Sequence, residues 1–508
     1  MVEHYLDRLA RTINENWDQP ALTDFYLTED GLAQDTSRGN HYTYGEMYQE
    51  ILHVCDIFQS LGLQEGDHIA ICGANSAHWA IAYLAIASYQ GVAVTILHSQ
   101  SPEDIAHQID FSDAKALFVD VDLWEDLKYQ SLPQVEHVIS LDDWSVLRGV
   151  KPVIDNRKSI IENRKAHFIH GELDDLAMIC FTSGSTGKSK GVMLSHKCFS
   201  NHVYTYSNSY EKSPNRNYVI FLPLAHMAGF TCEFLPQLSL GKHIYMFGDF
   251  QSIHNIYTTL KIIKPYMLTE VPKVIGALCE KKGCGVLSEL SQLLIGGSLI
   301  DPQLEKILLG SNVRLIIGYG QTEVGALSTL SPYRQHRYSS VGKRILFTDV
   351  DIAPNGEILV KGENVMLGYY KDPEATARKI DADCWLHTGD KGHLDENGYL
   401  YVEGRLDQDM IVLPNGENIH PEDIERKINA LHKVSESIVL ARDGKLVAIA
   451  VPSSLPFREE SEVGSLRRKI LRAVNPSLPL FSQLYDVEIT DTPLARTEKQ
   501  TLKRYLYK

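Results

Sequence analysis

The sequence predicts a layered α/β protein: a large N-terminal domain of several subdomains, followed by a small α+β C-terminal domain. Three observations carry this. Short apolar runs alternate with helical patterns through most of the first four hundred residues, as stacked α/β layers require. From about Val341 the texture changes to short strands separated by Gly and Asn turns, a small β-rich subdomain. After Gly404 a separate pattern of helices and strands closes the chain. The 508 residues fit about three domains of ~150 residues each.

The elements follow in order. Asp67-His68 leads into the apolar run Ile69–Cys72, Asn75 is placed to cap a helix running to about Tyr89, Gln90-Gly91 ends it, and Val92–Leu97 is a β-branched strand. Trp79–Leu97 is apolar and long enough to span a membrane, but its internal turn and strand signals make it a buried βαβ unit instead. Further strands are expected at Lys115–Val119, Leu176–Phe181, Tyr218–Leu222, Leu293–Ile295 and Leu315–Ile317. The β-rich stretch places Asp349–Ile352 and Glu357–Lys361 around the turn Pro354-Asn355-Gly356, and Tyr399–Glu403 after Glu396-Asn397-Gly398. The closing module has helices at Pro421–His432 and Ser465–Val474 and a hairpin of Glu436–Arg442 and Lys445–Val451 across Asp443-Gly444. The domains are therefore expected at 1–403 and 404–508.

Charge narrows the function. Lys+Arg 49 against Asp+Glu 65 leaves a net charge of −16, which repels phosphate backbones at long range and argues against nucleic acid as a partner. A local anion site built from backbone N–H groups and a few lysines stays open. The eight cysteines show no Cys-x-x-Cys, and the N-terminus has no apolar secretion segment, so reduced thiols in a cytoplasmic protein are expected.

The densest chemical signal is Thr182-Ser183-Gly184-Ser185-Thr186-Gly187-Lys188-Ser189-Lys190-Gly191, which follows the apolar strand Leu176–Phe181. Glycines let backbone N–H groups turn toward an anion, hydroxyls donate, and lysines add charge. A Walker loop ends like Gly187-Lys188-Ser189, but it needs glycine where Thr182 stands and a helix where Gly191-Val192-Met193-Leu194 reads as a strand. The segment instead resembles the phosphate loop of the adenylate-forming (ANL) superfamily, which includes acyl-CoA synthetases, luciferases and peptide-synthetase adenylation domains. That family usually has Pro at the Ser189 position.

Other segments extend the resemblance in the family's order, over about residues 40 to 508. Gly318-Tyr319-Gly320-Gln321-Thr322-Glu323 is similar to the Tyr-Gly-x-Thr-Glu motif, which implies Tyr319 on adenine, Thr322 at the α-phosphate and Glu323 on Mg²⁺. Gly296-Gly297-Ser298 resembles the segment between adenine and acyl pocket. Thr388-Gly389-Asp390 resembles the family motif whose Asp accepts from both ribose hydroxyls, and Arg405 in Gly404-Arg405-Leu406-Asp407 is implied to hold the ribose too. Asp407 fills the hinge position. Pro493–Lys499 resembles the C-terminal catalytic motif, with Lys499 as its lysine, Glu498 where the family has Gly, and Lys503 as a competing candidate. Leu222-Pro223-Leu224-Ala225-His226 looks most like long-chain acyl-CoA synthetases, which places His226 beside the reacting carboxylate.

The resemblance implies a fatty acid:CoA ligase with ATP, Mg²⁺ and coenzyme A as co-substrates. A carboxylate attacks the α-phosphate of ATP, with Lys499, Thr322 and Mg²⁺ at Glu323 stabilising the charge while Thr182–Gly191 holds the outer phosphates. A rotation about Asp407 then brings Gly416-Glu417-Asn418 to line a tunnel for the thiol that displaces AMP. A lipid substrate allows peripheral membrane contact, although no amphipathic segment argues for it. Three rivals stand beside this reading: loading of a carrier protein's phosphopantetheine, a nucleotide-binding protein without catalysis, and a Walker-type ATPase or GTPase that hydrolyses nucleotide without any carboxylic acid.

Overall fold

The structure, a computed structural model, describes residues 2–28, 33–35, 38–151, 165–182, 189–209, 213–248, 252–332, 335–406, 411–412, 418–419, 421–442, 445–453, 460–478, 483–496, 502 and 504–507. Contacts divide the chain into two compact units. The larger is Met1–Thr388 with His393–Val402, and the smaller is Gly389–Gly392 with Glu403–Lys508.

The larger unit is built on layered sheets. The central one has eight strands, ordered Gly368–Tyr369, Lys190–Ser195, Leu176–Thr182, Val92–Ile96, His68–Cys72, Ala116–Val119, His137–Ser140 and Val146–Arg148. Its middle strands run parallel, and Lys190–Ser195 turns back antiparallel on Leu176–Thr182. The helix Ala77–Ser88 between His68–Cys72 and Val92–Ile96 is buried on every face. That is why Trp79–Leu97 has membrane-like composition: the helix is wrapped by protein rather than lipid. No helix among the described residues is long and apolar enough to cross a membrane.

The cap of this helix corrects one expectation. Ser76, not Asn75, is the N-cap, its Oγ accepting from the Trp79 N–H at 3.1 Å. Asn75 is committed elsewhere. Its Nδ2 donates to the Leu222 carbonyl at 2.9 Å and its Oδ1 accepts from the Leu224 N–H at 2.8 Å.

A five-stranded sheet runs Met267–Glu270, Gln292–Ile295, Arg314–Tyr319, Thr329–Leu330 and Lys343–Arg344, the first three parallel. A four-stranded sheet orders Asn217–Ile220, His243–Phe247, Pro20–Phe25 and His41–Thr43. The β-rich stretch forms a further sheet of Thr348–Ile352, Glu357–Gly362, Leu386–Leu394 and Leu400–Arg405. Cysteine chemistry brings a second correction. Cys279 and Cys284 are joined in a disulfide rather than free. The helix Pro272–Lys282 ends at Gly283, whose φ of +75° turns the chain back and sets the two Cα atoms 4.5 Å apart.

In the smaller unit Val434–Arg442, Lys445–Pro452 and Asp486–Ile489 form a sheet. Helices Pro421–Asn429 and Glu460–Val474 contribute Ile424, Ile428, Leu466 and Ile470 to its core, against Val439 and Ala448 of the sheet.

Candidate functional site

In an open α/β sheet ligands gather at the carboxyl ends of parallel strands. Three such ends stand level in the five-stranded sheet, with Glu270 opposite Ile295 and Ile295 opposite Ile317. The chain leaves them as Gly296-Gly297-Ser298 and as Tyr319-Gly320, so these two sequence-predicted segments emerge side by side. Gly320 is required by sterics, because a Cβ there would lie 2.1 Å from the Ala326 carbonyl oxygen. One 3₁₀ turn, Thr322–Val324, follows; Thr322 is buried and Glu323 half-buried.

The Glu323 carboxylate has a partner that spacing did not flag. Its Oε1 accepts from the Tyr369 hydroxyl at 2.8 Å. Burial first, then the Glu323 charge, pushes the Tyr369 phenol well above its ordinary range, so it stays a donor. The Lys190 ammonium stands 4.9 Å over the same ring. Lys190 pairs with Thr182 as the last rung of the Leu176–Thr182/Lys190–Ser195 hairpin. Tyr369 itself pairs with Val192 on the outer edge of that hairpin. The fold thus brings together the base of the glycine-rich loop, an aromatic ring and Glu323. Ser183, Gly184, Ser185, Thr186, Gly187 and Lys188, at the tip, lie outside the described residues. Ser189 is within 3.4 Å of the Gln108 amide nitrogen.

His226 closes a tight turn that Pro223 begins, its N–H donating to the Pro223 carbonyl at 2.9 Å. Its Nδ1 accepts from the Ala228 N–H at 3.2 Å, which leaves Nε2 as the ring's donor. A π-helical turn, Ala228–Phe234, follows, a geometry frequent at functional sites. Asn75 grips the two peptides at the start of this segment, so the helix-capping position read from sequence is a positioning group for the His226 strand end.

In the smaller unit, Arg405 Nε lies 3.0 Å from Asp390 Oδ1, with the carboxylate mostly buried and the guanidinium nearly half exposed. The Leu406 N–H donates to the Gly389 carbonyl at 2.7 Å and ties the two predicted motifs together. Asp407, Gly416, Glu417 and Lys499 lie outside the described residues, as do Glu498 and Lys503. The Asn418 backbone pairs with Val412 in a two-stranded ladder. On either side of Lys499 the chain is held by arginines. The Arg496 guanidinium binds Glu436 Oε2 through Nε at 3.2 Å and Nη2 at 2.6 Å. Arg504 binds both oxygens of Glu425 at 2.5 Å. Neither pair carries a periodic signal in the sequence, because the partners are far apart along the chain.

Comparison with known proteins identifies the family. Residues 9–370 match the model for AMP-binding enzymes, and residues 408–507 match the C-terminal domain of AMP-binding enzymes. A (methyl-dioxo-octahydroindenyl)propanoyl:CoA ligase of Rhodococcus jostii is 30% identical over 420 residues, 78% of this chain and 80% of that protein. A long-chain-fatty-acid–CoA ligase of Yersinia pestis is 28% identical over 435 residues, 77% of each chain. The crystal structure of ATP-bound MatB from Rhodopseudomonas palustris shares the fold with a TM-score of 0.82 at 22% identity, over 100% of this chain and 98% of that one. The family match spans most of the chain, both of its units have counterparts there, and this protein belongs to the AMP-binding enzyme family.

Proposed function

We propose that the protein activates a carboxylic acid with ATP and transfers the acyl group to coenzyme A. The observation that carries the reading is the grouping of Thr322-Glu323, just past the strand end at Tyr319-Gly320, with Tyr369 and the Lys190 end of the glycine-rich hairpin. In the first half-reaction a carboxylate oxygen attacks the α-phosphorus of ATP, the bond to the β-phosphate oxygen breaks, and pyrophosphate leaves. Negative charge grows on the α-phosphate oxygens, where preorganised donors are worth most. Thr322 and Lys499 serve there. Thr182 to Lys188 hold the β- and γ-phosphates, Tyr319 and Gly320 receive the adenine, Gly297 and Ser298 border the acyl group, and Asp390 with Arg405 takes the ribose. His226, with its proton on Nε2, donates to the substrate carboxylate. In the second half-reaction a thiol attacks the acyl carbon and AMP leaves, with Gly416, Glu417 and Asn418 lining the thiol's path and Asp407 as the hinge beside a domain boundary at 403/404.

Mg²⁺ fits the donor set, since this cation is usually held by one or two carboxylates together with substrate phosphates. Glu323 would hold it, and the ion would neutralise phosphate charge. A fatty acid is the acyl donor that Leu222–His226 supports, and the Yersinia pestis relative is named for that class.

The test is acid-dependent pyrophosphate release from Mg-ATP over a panel of plain fatty and aryl acids, with and without CoA, alongside AMP and acyl-CoA. Acid-dependent pyrophosphate together with CoA-dependent thioester supports the ligase. Pyrophosphate without thioester points to a carrier-protein acceptor. Pyrophosphate from none of these acids, in protein that binds ATP, sinks the fatty-acid reading.

A further inference from the structure

Two carboxyl groups are buried where the site is proposed to hold the acyl group, and the reaction uses neither. Glu233 lies in the π-helical turn Ala228–Phe234 that starts just after His226, and Glu270 is the last residue of the strand Met267–Glu270. Both are nearly inaccessible, at 0% and 2% exposure. Glu270 is in register with Ile295, one residue before Gly296-Gly297. A valine methyl of the next residue, Val271, would stand 3.5 Å from a Cβ on Gly297. Glu233 is tied to the same strand: Oε1 accepts from the Tyr218 hydroxyl at 3.1 Å, and that hydroxyl bonds the Thr269 hydroxyl at 2.9 Å. Glu270 uses one oxygen, Oε2, to accept from the Val271 N–H at 2.9 Å.

Glu233 Oε2 and Glu270 Oε1 make no well-formed hydrogen bond among the described residues, although the Leu222 N–H lies close enough to act weakly on the Glu233 carboxyl. No cation among them acts on either group, and the Glu270 charge is felt at Glu233. Burial pushes the Glu270 carboxyl up to about 7, and burial, then Glu270, pushes Glu233 well above the carboxylate range. A buried acid left without a donor costs stability, on the order of 1–3 kcal/mol for the unmet acceptor. A hydrophobic pocket for a plain hydrocarbon chain gains nothing from two of them. A bound cation bearing several N–H donors relieves both.

We infer that Glu233 and Glu270 form a subsite for a protonated amine, and that the acid this protein activates carries an amino group. The inference rests on the ligase reading above and names its substrate class. On binding, the ammonium donates to Glu233 Oε2 and Glu270 Oε1, and the proton that a carboxyl held in the free protein passes to solvent.

The experiment uses the full chain with Mg-ATP and CoA and matched pairs of acids: 6-aminohexanoate with hexanoate, 12-aminododecanoate with dodecanoate, 4-(aminomethyl)benzoate with 4-methylbenzoate. A hydroxy-acid counterpart joins each pair. The readout is kcat/KM for pyrophosphate release. At least one amino acid of the panel is expected to exceed its amine-free partner by about tenfold or more near pH 8. That ratio should fall toward pH 6, where the Glu270 carboxyl keeps its proton. Glu270→Gln and Glu233→Gln should each lower the ratio about tenfold. Equal or better turnover of the plain or hydroxy member in every pair overturns the inference, as does an amino preference that both Gln variants retain. If the variants do not fold, the wild-type ratio and its pH dependence decide alone. Turnover of plain acids without amino preference defeats this inference only, whereas pyrophosphate from no acid of any kind defeats the ligase reading with it.

Discussion

Arg504 and Glu425 are joined by a two-pronged ion pair, Nη1 to Oε1 and Nη2 to Oε2, each at 2.5 Å, with both side chains almost fully buried. Glu425 Oε1 also accepts from the Val439 N–H at 2.6 Å, so one carboxylate fastens a helix, a strand and the C-terminal turn Arg504–Leu506. Removing one partner of a buried pair leaves the other uncompensated, a loss of about 3–5 kcal/mol. Glu425→Gln is therefore expected to lower the unfolding midpoint of the smaller unit markedly, as measured by chemical denaturation followed by probes within Glu403–Lys508. An unchanged midpoint would mean that the pair contributes nothing net.

Lys499 lies between the Arg496–Glu436 and Arg504–Glu425 anchors in sequence. Lys499→Ala is expected to abolish pyrophosphate release from ATP and acid but to spare thioester formation from supplied acyl-adenylate. Normal pyrophosphate release by that variant would move the role elsewhere, with Lys503 the next candidate.

Tyr369→Phe keeps the ring beneath Lys190 and deletes only the hydroxyl that reaches Glu323. A hydrogen bond to a charged group is worth about 1.5–3 kcal/mol. If Glu323 holds Mg²⁺, the Mg²⁺ concentration needed for half-maximal pyrophosphate release should rise by roughly tenfold or more. A Mg²⁺ titration of both proteins checks this, and identical curves would detach Tyr369 from the metal.

Asn75→Ala strips the Leu222 carbonyl and the Leu224 N–H of their partner. Leaving such groups unpaired costs about 1–3 kcal/mol each. The His226 segment should lose its registration, with kcat/KM for the acid falling about tenfold or more while KM for ATP holds. Equal loss toward both substrates would indicate a general structural defect instead.

The His4 imidazole is buried against His196 and His170, and burial, then those two rings' charges, pushes its pKa down to about 2. Its sign is that of a base depressed on folding. The unfolded chain binds a proton below its ordinary 6.5 and the folded chain does not, so stability is full above that value and falls as pH drops toward 2. His4 also caps the helix Tyr5–Glu15 by accepting from the Leu6 N–H at 3.2 Å, a role Asn can take. His4→Asn should cost little near pH 8 and should flatten the loss of stability between about pH 6 and 4 by up to ~1.4 kcal/mol per pH unit. Urea unfolding across that range is the check, and an unaltered slope would contradict it.

Much of this protein was legible in one dimension because its signals are local. The βαβ periodicity around Ile69–Val92, the strand before Thr182 and the Asn355 and Asn397 turns depend on neighbours in sequence, and the sheets formed accordingly. The ordered family motifs were readable for the same reason, each being a short run of residues. What only the tertiary structure decided are pairings between residues far apart along the chain. Asn75 looked like a helix cap and became the grip on Leu222 and Leu224, because Ser76 made the cap and left its amide free for a neighbouring segment. Tyr369 entered the site because its strand edge lies beside the glycine-rich hairpin. Cys279 and Cys284 paired because Gly283 turned the chain between them. Glu233 and Glu270 drew no notice as two acids among 65, and only burial without a cation separated them from solvated surface charge. A side chain's chemistry is set by its sequence, whereas its dielectric surroundings and its partners are set by the fold.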